Sequence, residues 1–195
     1  MRRFLFISYD AAIAAVIMAP IFWILDRNVF HNKKRSFLYY LFAIYLSGIY
    51  SAVGLPDIRY IRYNPHFNFT PFAYMFSDAT SSFLNVLLFA PMGFFLPYLW
   101  KEFRVIWKTF LFGFSVSVFI EILQIFTLRA TDINDLLTNS LGTLIGWIIA
   151  QIFLCICKTT PPEGQTRDIF KICCITVAVM FFLHPYFPAI LQIIG

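Results

Sequence analysis

Long apolar stretches alternate with short polar linkers along the whole chain. Each stretch is close to the roughly 20 residues that a helix needs to cross the hydrocarbon core of a bilayer. Six such stretches occur, at Phe6–Leu25, Phe37–Gly54, Ser82–Trp100, Thr109–Leu128, Leu136–Cys157 and Ile172–Ile194. The pattern predicts an all-α fold, a polytopic transmembrane helix bundle of about six spans, organised as a single domain over residues 1–195.

One linker is longer than the others and differs from them in composition. Leu55–Ser81 is rich in aromatic residues and contains prolines. Aromatic side chains concentrate where lipid headgroups meet water, so this segment is predicted to be an interfacial outer loop.

Composition excludes a water-soluble domain. Hydrophobic residues make up 60% of the chain, charged residues only 13%, and there are 25 Phe. An ordinary soluble domain has about a quarter charged residues. The net charge is +5, but the basic residues form short clusters between apolar runs, which is typical of topology signals. We therefore expect membrane lipids as partners and no nucleic acid.

Lys and Arg counts predict the orientation of the chain in a bacterial cell membrane. Positive residues favour the cytoplasmic side. Ten of the 15 basic residues lie in the odd-numbered linkers, at Arg27, Lys33, Lys34, Arg35, Lys101, Arg104, Lys108, Lys158, Arg167 and Lys171. This places both termini outside. Arg2 and Arg3 before an apolar run resemble a signal-peptide start and favour the opposite orientation, but the four basic residues after the first span outnumber them.

Polar residues concentrate at the predicted outer ends of spans three, four and five. Such side chains are costly in a bilayer and usually face a protein interior or a wet cavity. Glu121 and Gln124 are three positions apart, and Asp132, Asp135 and Asn139 step by three and four, which puts each set on one helix face. The set comprises Asn85, Glu121, Gln124, Arg129, Asp132, Asn134, Asp135 and Asn139.

Glycines continue this polar face deeper into span five. Gly142 and Gly146 follow Asn139 at spacings of three and four residues. Small residues four apart let membrane helices approach closely. The pattern predicts that spans four and five pack together and bring the Glu121 face to the Asp135–Asn139 face.

The polar residues resemble a family signature. Over residues 85–146 the chain resembles the VanZ-like family in three motifs: Asn85-x5-Pro91-x-Gly93, Glu121-x-x-Gln124 and Arg129-x-x-Asp132-x-x-Asp135-x3-Asn139-x-x-Gly142-x3-Gly146. A shorter element of the family lies before them and is resembled by Asn68-x-x-Pro71-Phe72. The resemblance implies a role in the bacterial cell envelope. It also implies low-level resistance to teicoplanin, a lipid-bearing glycopeptide.

Two mechanisms fit these residues. In the first, the protein is not an enzyme: Asn85, Gln124, Arg129 and Asn139 bind a lipid or lipoglycopeptide-type amphiphile at the outer leaflet, with Arg129 holding a phosphate or carboxylate. In the second, an intramembrane enzyme modifies an envelope lipid or lipid-linked precursor.

The enzyme hypothesis assigns the chemistry to three carboxylates. Glu121, Asp132 and Asp135 would supply a catalytic acid and base. An Asp/Asp/Asn set could also hold a hard divalent cation, but the sequence alone names neither a metal nor another cofactor. A structural alternative for Asp132 is the N-cap of the fifth helix.

The orientation can be tested with reporter fusions. Alkaline phosphatase, which is active only outside the cytoplasm, should be active when fused after Ala130 and inactive when fused after Glu102. The reverse result would put the polar residues at the cytoplasmic face.

Overall fold

A computed structural model of the chain describes residues 2–63, 65–68, 70, 79–127, 131–157 and 164–187. Within these ranges, six helices are long and apolar enough to cross a membrane. They are α1 (Arg2–Leu25), α2 (Lys33–Val53), α3 (Ala79–Leu99), α4 (Ile106–Gln124), α5 (Ile133–Cys157) and α6 (Thr166–Leu183). The predicted all-α helical bundle is confirmed.

Short elements connect or extend these helices. The strands β1 (Phe67–Asn68) and β2 (Thr131–Asp132) pair in parallel, with Asn68 opposite Asp132. A π-helical turn follows α1 at Asp26–Phe30, and 3-10 turns lie at Lys101–Arg104 and His184–Tyr186.

All six helices begin three to six residues before the apolar stretches that predict them, and α5 and α6 show the reason. α5 begins at Ile133 instead of Leu136, and α6 begins at Thr166 instead of Ile172. Hydropathy marks the part of a helix that lipid tolerates, whereas helical hydrogen bonding continues into polar flanks. The end of α6 also differs, because Pro185 has no N–H to continue the helix beyond Leu183.

Contacts between residues divide the chain into two compact units. The first unit comprises Met1–Ile61 and Gln165–Gly195, and therefore holds α1, α2 and α6. The second unit, Arg62–Gly164, holds α3, α4 and α5.

The second unit is organised by backbone contact between α3 and α5. A Cβ atom built on Gly142 would overlap the carbonyl of Val86, and one built on Gly146 would overlap the carbonyl of Ala90. From the other side, Gly93 of α3 lies against the carbonyl of Thr143. Three glycines thus bring the two backbones together without intervening side chains.

The expected partner of the span-five glycines was therefore wrong. Gly142 and Gly146 face α3 and not α4. α4 approaches α5 elsewhere, where Gly113 lies against the side chain of Thr143. A stripe of small residues shows that a helix can be approached closely, but it does not identify the neighbour.

The first unit has a hydrophobic core that joins its three helices. Ala14, Tyr50, Met180 and Phe187 form one buried cluster. Ile58, in the segment after α2, donates its backbone N–H to the carbonyl of Phe181 at 3.1 Å. This segment is therefore fastened to α6.

Substitution of a buried glycine tests the α3–α5 contact. Gly146→Ala should lower the free energy of unfolding by about 1–3 kcal/mol, because a methyl group would press on a backbone carbonyl that cannot rotate away. Thermal unfolding of the purified protein in detergent measures the change. Gly48→Ala is the matched control, since nothing lies within 4 Å of its added methyl group. Equal melting temperatures for the two variants would contradict the close contact.

Candidate functional site

The described polar residues of the predicted set meet at one end of the second unit. Here α3 begins, α4 ends and α5 begins. We use the name polar site for the described residues to which one of the two mechanisms assigns a role, which are Asn85, Glu121, Gln124, Asp132, Asp135 and Asn139.

Glu121 connects the end of α4 to the start of α5. Its residue is 5% exposed, so the carboxylate requires donors from the protein. Oε2 accepts a hydrogen bond from the backbone N–H of Asp132 at 3.0 Å. The Glu121 carbonyl accepts a second bond from the hydroxyl of Thr131 at 3.2 Å. Both bonds hold β2 against α4.

Asp132 caps the N-terminus of α5. Its Oδ1 accepts from both the backbone N–H and the Nδ2 of Asn134, each at 2.8 Å. Its Oδ2 accepts from Nδ2 of Asn68 at 3.0 Å, which fastens β1 to β2 through side chains as well as backbone. The capping interpretation of Asp132 is therefore correct, and both carboxylate oxygens have structural partners.

Asp135 pairs with α3. Its Oδ1 accepts a hydrogen bond from Nδ2 of Asn85 at 2.7 Å, and both residues are half-buried. The close approach of α3 and α5 makes this short bond geometrically available. Asp135 was expected to meet the Glu121 face of α4, so its α3 partner is a finding of the tertiary structure.

A deeper layer of the polar site lies between α4 and α5. Asn139 donates through Nδ2 to the hydroxyl of Ser117 at 2.9 Å, and both residues are buried. Among the described residues, no group donates to the buried Oδ1 of Asn139. Gln124, one turn beyond Glu121 on the same face, is also buried. The predicted approach of the α4 and α5 polar faces is therefore present at this level.

Some predicted residues lie outside the described structure, and the described residues do not form a set of metal ligands. Arg129 lies outside the described residues, as do Pro71 and Phe72 of the shorter element. Across the described ranges, no three His, Cys, Asp or Glu side chains are grouped as metal ligands.

Two amide side chains of this network had no role in either predicted mechanism. Asn68 and Asn134 both donate to Asp132, and Asn134 also donates to the carbonyl of Thr70 at 3.3 Å. Asn68 was visible only as the first residue of the shorter family element. The Asn134 bond had a local signal, because Asp at an N-cap bonds the residue two positions on.

Replacing the cap tests the role of Asp132. Asp132→Ala should lower the free energy of unfolding by about 0.5–2 kcal/mol, because the N–H of Asn134 loses its acceptor. Asp132→Ser keeps an acceptor at the cap and should recover much of that loss. Thermal unfolding in detergent compares them, and equal losses in both variants would show that capping is not the main contribution.

Comparison with known proteins identifies the family. A family model described as VanZ/LLP1 matches residues 6–154. Over 84 residues the chain is 39% identical to Protein VanZ of Enterococcus faecium, a match that covers 40% of this chain and 48% of that protein. The chain thus spans about half the length of this curated relative. No solved structure matches the chain. Because the family model covers most of the sequence, including the entire polar site, the chain belongs to the VanZ/LLP1 family.

Proposed function

We propose that this multi-pass membrane protein acts without catalysis, binding the headgroup of an amphiphile at the polar site while the apolar part of the ligand stays in lipid. One observation carries the proposal: a hydrogen-bonded polar network lies at the helix ends directly beside exposed apolar side chains. The expected ligands are an envelope lipid, a lipid-linked precursor or a lipoglycopeptide.

The apolar border is found on all three helices of the second unit. Phe83 and Leu87 flank Asn85 on α3 and are 64% and 56% exposed. Ile122 follows Glu121 on α4, and Leu137 lies two residues after Asp135 on α5; both are exposed. Exposed apolar side chains of this kind are compatible with contact to the acyl chains of lipids. A ligand with a polar head and an apolar tail matches both surfaces at once.

The described groups of the polar site favour a headgroup that brings hydrogen-bond donors. The carboxylates of Glu121, Asp132 and Asp135 all act as acceptors in the network. A carboxylate has about four acceptor positions, so it can bind a ligand hydroxyl or ammonium in addition to a protein donor. Binding of a ligand phosphate or carboxylate by Arg129 stays a prediction from the sequence.

The rival function is an intramembrane enzyme that modifies an envelope lipid. The cap formed by Asp132 gives that residue a structural role, so an acid–base pair would have to consist of Glu121 and Asp135. Lipid extracts distinguish the two functions. Conversion of a lipid by wild-type cells, lost in Glu121→Gln at equal protein abundance, would favour the enzyme.

Low-level teicoplanin resistance is the cellular effect that the family resemblance suggests, and it provides the first test. In a glycopeptide-sensitive Gram-positive host, the wild-type protein should raise the inhibitory concentration of teicoplanin and leave that of vancomycin unchanged. Glu121→Gln and Asp135→Asn should lose the protection, because each removes a charged acceptor from the site.

Glu102→Gln is the matched control for these substitutions. Glu102 is exposed on the 3-10 turn between α3 and α4, at the opposite end of the second unit from the polar site. It should keep full protection at equal membrane abundance. Equal protection by the control and by both site variants would contradict the proposal that the polar site is responsible.

A further inference from the structure

A second group of ionisable side chains lies in the first unit, separate from the polar site in sequence. His184, just after α6, places Nε2 3.1 Å from Oδ2 of Asp10 on α1. Its other ring nitrogen, Nδ1, lies 3.5 Å from Oδ2 of Asp57, in the segment after α2. One imidazole thus stands between two carboxylates from two other parts of the chain. We call these three residues the histidine site.

The histidine site is partly shielded from solvent. The side chains of Asp10, Asp57 and His184 are 21%, 15% and 26% exposed. Asp10 lies within an apolar helix that is long enough to cross the membrane, where an unpaired carboxylate is costly. Charge pairing with His184 offsets that cost and therefore favours the close approach of the three groups.

The protonation state of the ring follows from the positions of the two carboxylates. A neutral imidazole has one N–H donor and one acceptor, whereas the imidazolium has two donors. Each ring nitrogen faces a carboxylate oxygen, so only the imidazolium can satisfy both carboxylates at once. With a neutral ring, one nitrogen lone pair would face one of the carboxylates directly.

The segment after α2 is organised around Asp57. Oδ1 of Asp57 accepts the backbone N–H groups of Arg59 and Tyr60, both at 2.9 Å, which closes a tight turn. Oδ2 of the same carboxylate faces His184. The state of the His184 ring therefore acts directly on the residue that shapes this turn.

The other groups near the ring complete its surroundings. Tyr50 of α2 has its ring centre 6.4 Å from that of His184 and donates its hydroxyl to the carbonyl of Pro56. Phe187 packs edge-on against the imidazole at 5.5 Å. The guanidinium of Arg59 lies over the ring of Tyr186 at 4.2 Å. Among the described residues, the charged groups that face His184 are thus the two carboxylates.

We propose that the histidine site is a proton-binding site that controls how firmly the segment 55–61 is held to α1 and α6. Protonated His184 pairs with Asp10 and Asp57 together and fastens the segment. As the pH rises and the ring loses a proton, one carboxylate loses its partner and the segment is released. Protection of the segment is greatest where the carboxylates are ionised and the ring is charged, and it falls as the pH increases. The orientation predicted from Lys and Arg counts would expose this site to external pH.

Hydrogen–deuterium exchange in lipid nanodiscs tests this proposal. Between pH 5 and 9, after correction for the intrinsic pH dependence of exchange, amides of residues 55–61 in the wild-type protein should exchange faster as pH increases. His184→Gln should show fast exchange at every pH. His31→Asn is the matched control, since His31 is exposed and has a left-handed backbone that Asn tolerates, and it should retain the wild-type profile.

A second variant separates charge pairing from a loss of folding. Asp57→Asn keeps an oxygen that can accept from Arg59 and Tyr60 but removes the negative charge beside the ring. The midpoint of the wild-type transition should move to lower pH, because the imidazolium loses one of its two stabilising charges. An unmoved midpoint in Asp57→Asn, or a pH dependence that persists in His184→Gln, would overturn the proposal.

Discussion

The close approach of α3 and α5 is the constraint on which the second unit depends. Gly93, Gly142 and Gly146 bring backbone against backbone, so that two apolar helices gain dense packing where lipid offers no hydrophobic driving force. The same approach sets the register at the helix ends. There, Asn85 comes within hydrogen-bonding distance of Asp135 at 2.7 Å. Packing of small residues deep in the helices thus determines which polar groups meet near their ends.

Hydrogen bonding then divides the acidic residues into different roles. Both carboxylate oxygens of Asp132 accept hydrogen bonds, one from Asn134 and one from Asn68. Asp132 thereby caps the start of α5 and binds β1. Glu121 accepts the N–H of Asp132 from the end of α4, while Asp135 is paired with α3. Three carboxylates that look equivalent in sequence therefore differ in what they contribute. Glu121 and Asp135 are the more informative positions for testing function, because neither is the helix cap.

Both units hold carboxylates beside apolar helices, and they pair these carboxylates with different donors. In the second unit, buried or half-buried carboxylates accept hydrogen bonds from amide groups within the described residues. In the first unit, the carboxylates of Asp10 and Asp57 face an imidazole, whose charge depends on pH. The donors in the second unit are uncharged amides, whereas the donor in the proposed proton response is a ring whose charge can change. The proposed ligand binding and the proposed proton response are therefore independent properties that separate variants can test.

Sequence alone determined the membrane location, the number and order of the helices, the family and most of the polar residues at one end of spans three to five. These features follow from hydropathy, residue spacing and local capping preferences, which act over a few neighbouring positions. Tertiary structure decided the pairings: Gly146 with Ala90, Asn85 with Asp135, and His184 with Asp10 across 174 positions of sequence. A helical period identifies the face of a helix that is buried. The partner of that face depends on how helices distant in sequence pack, and residue spacing along one helix contains no information about that packing.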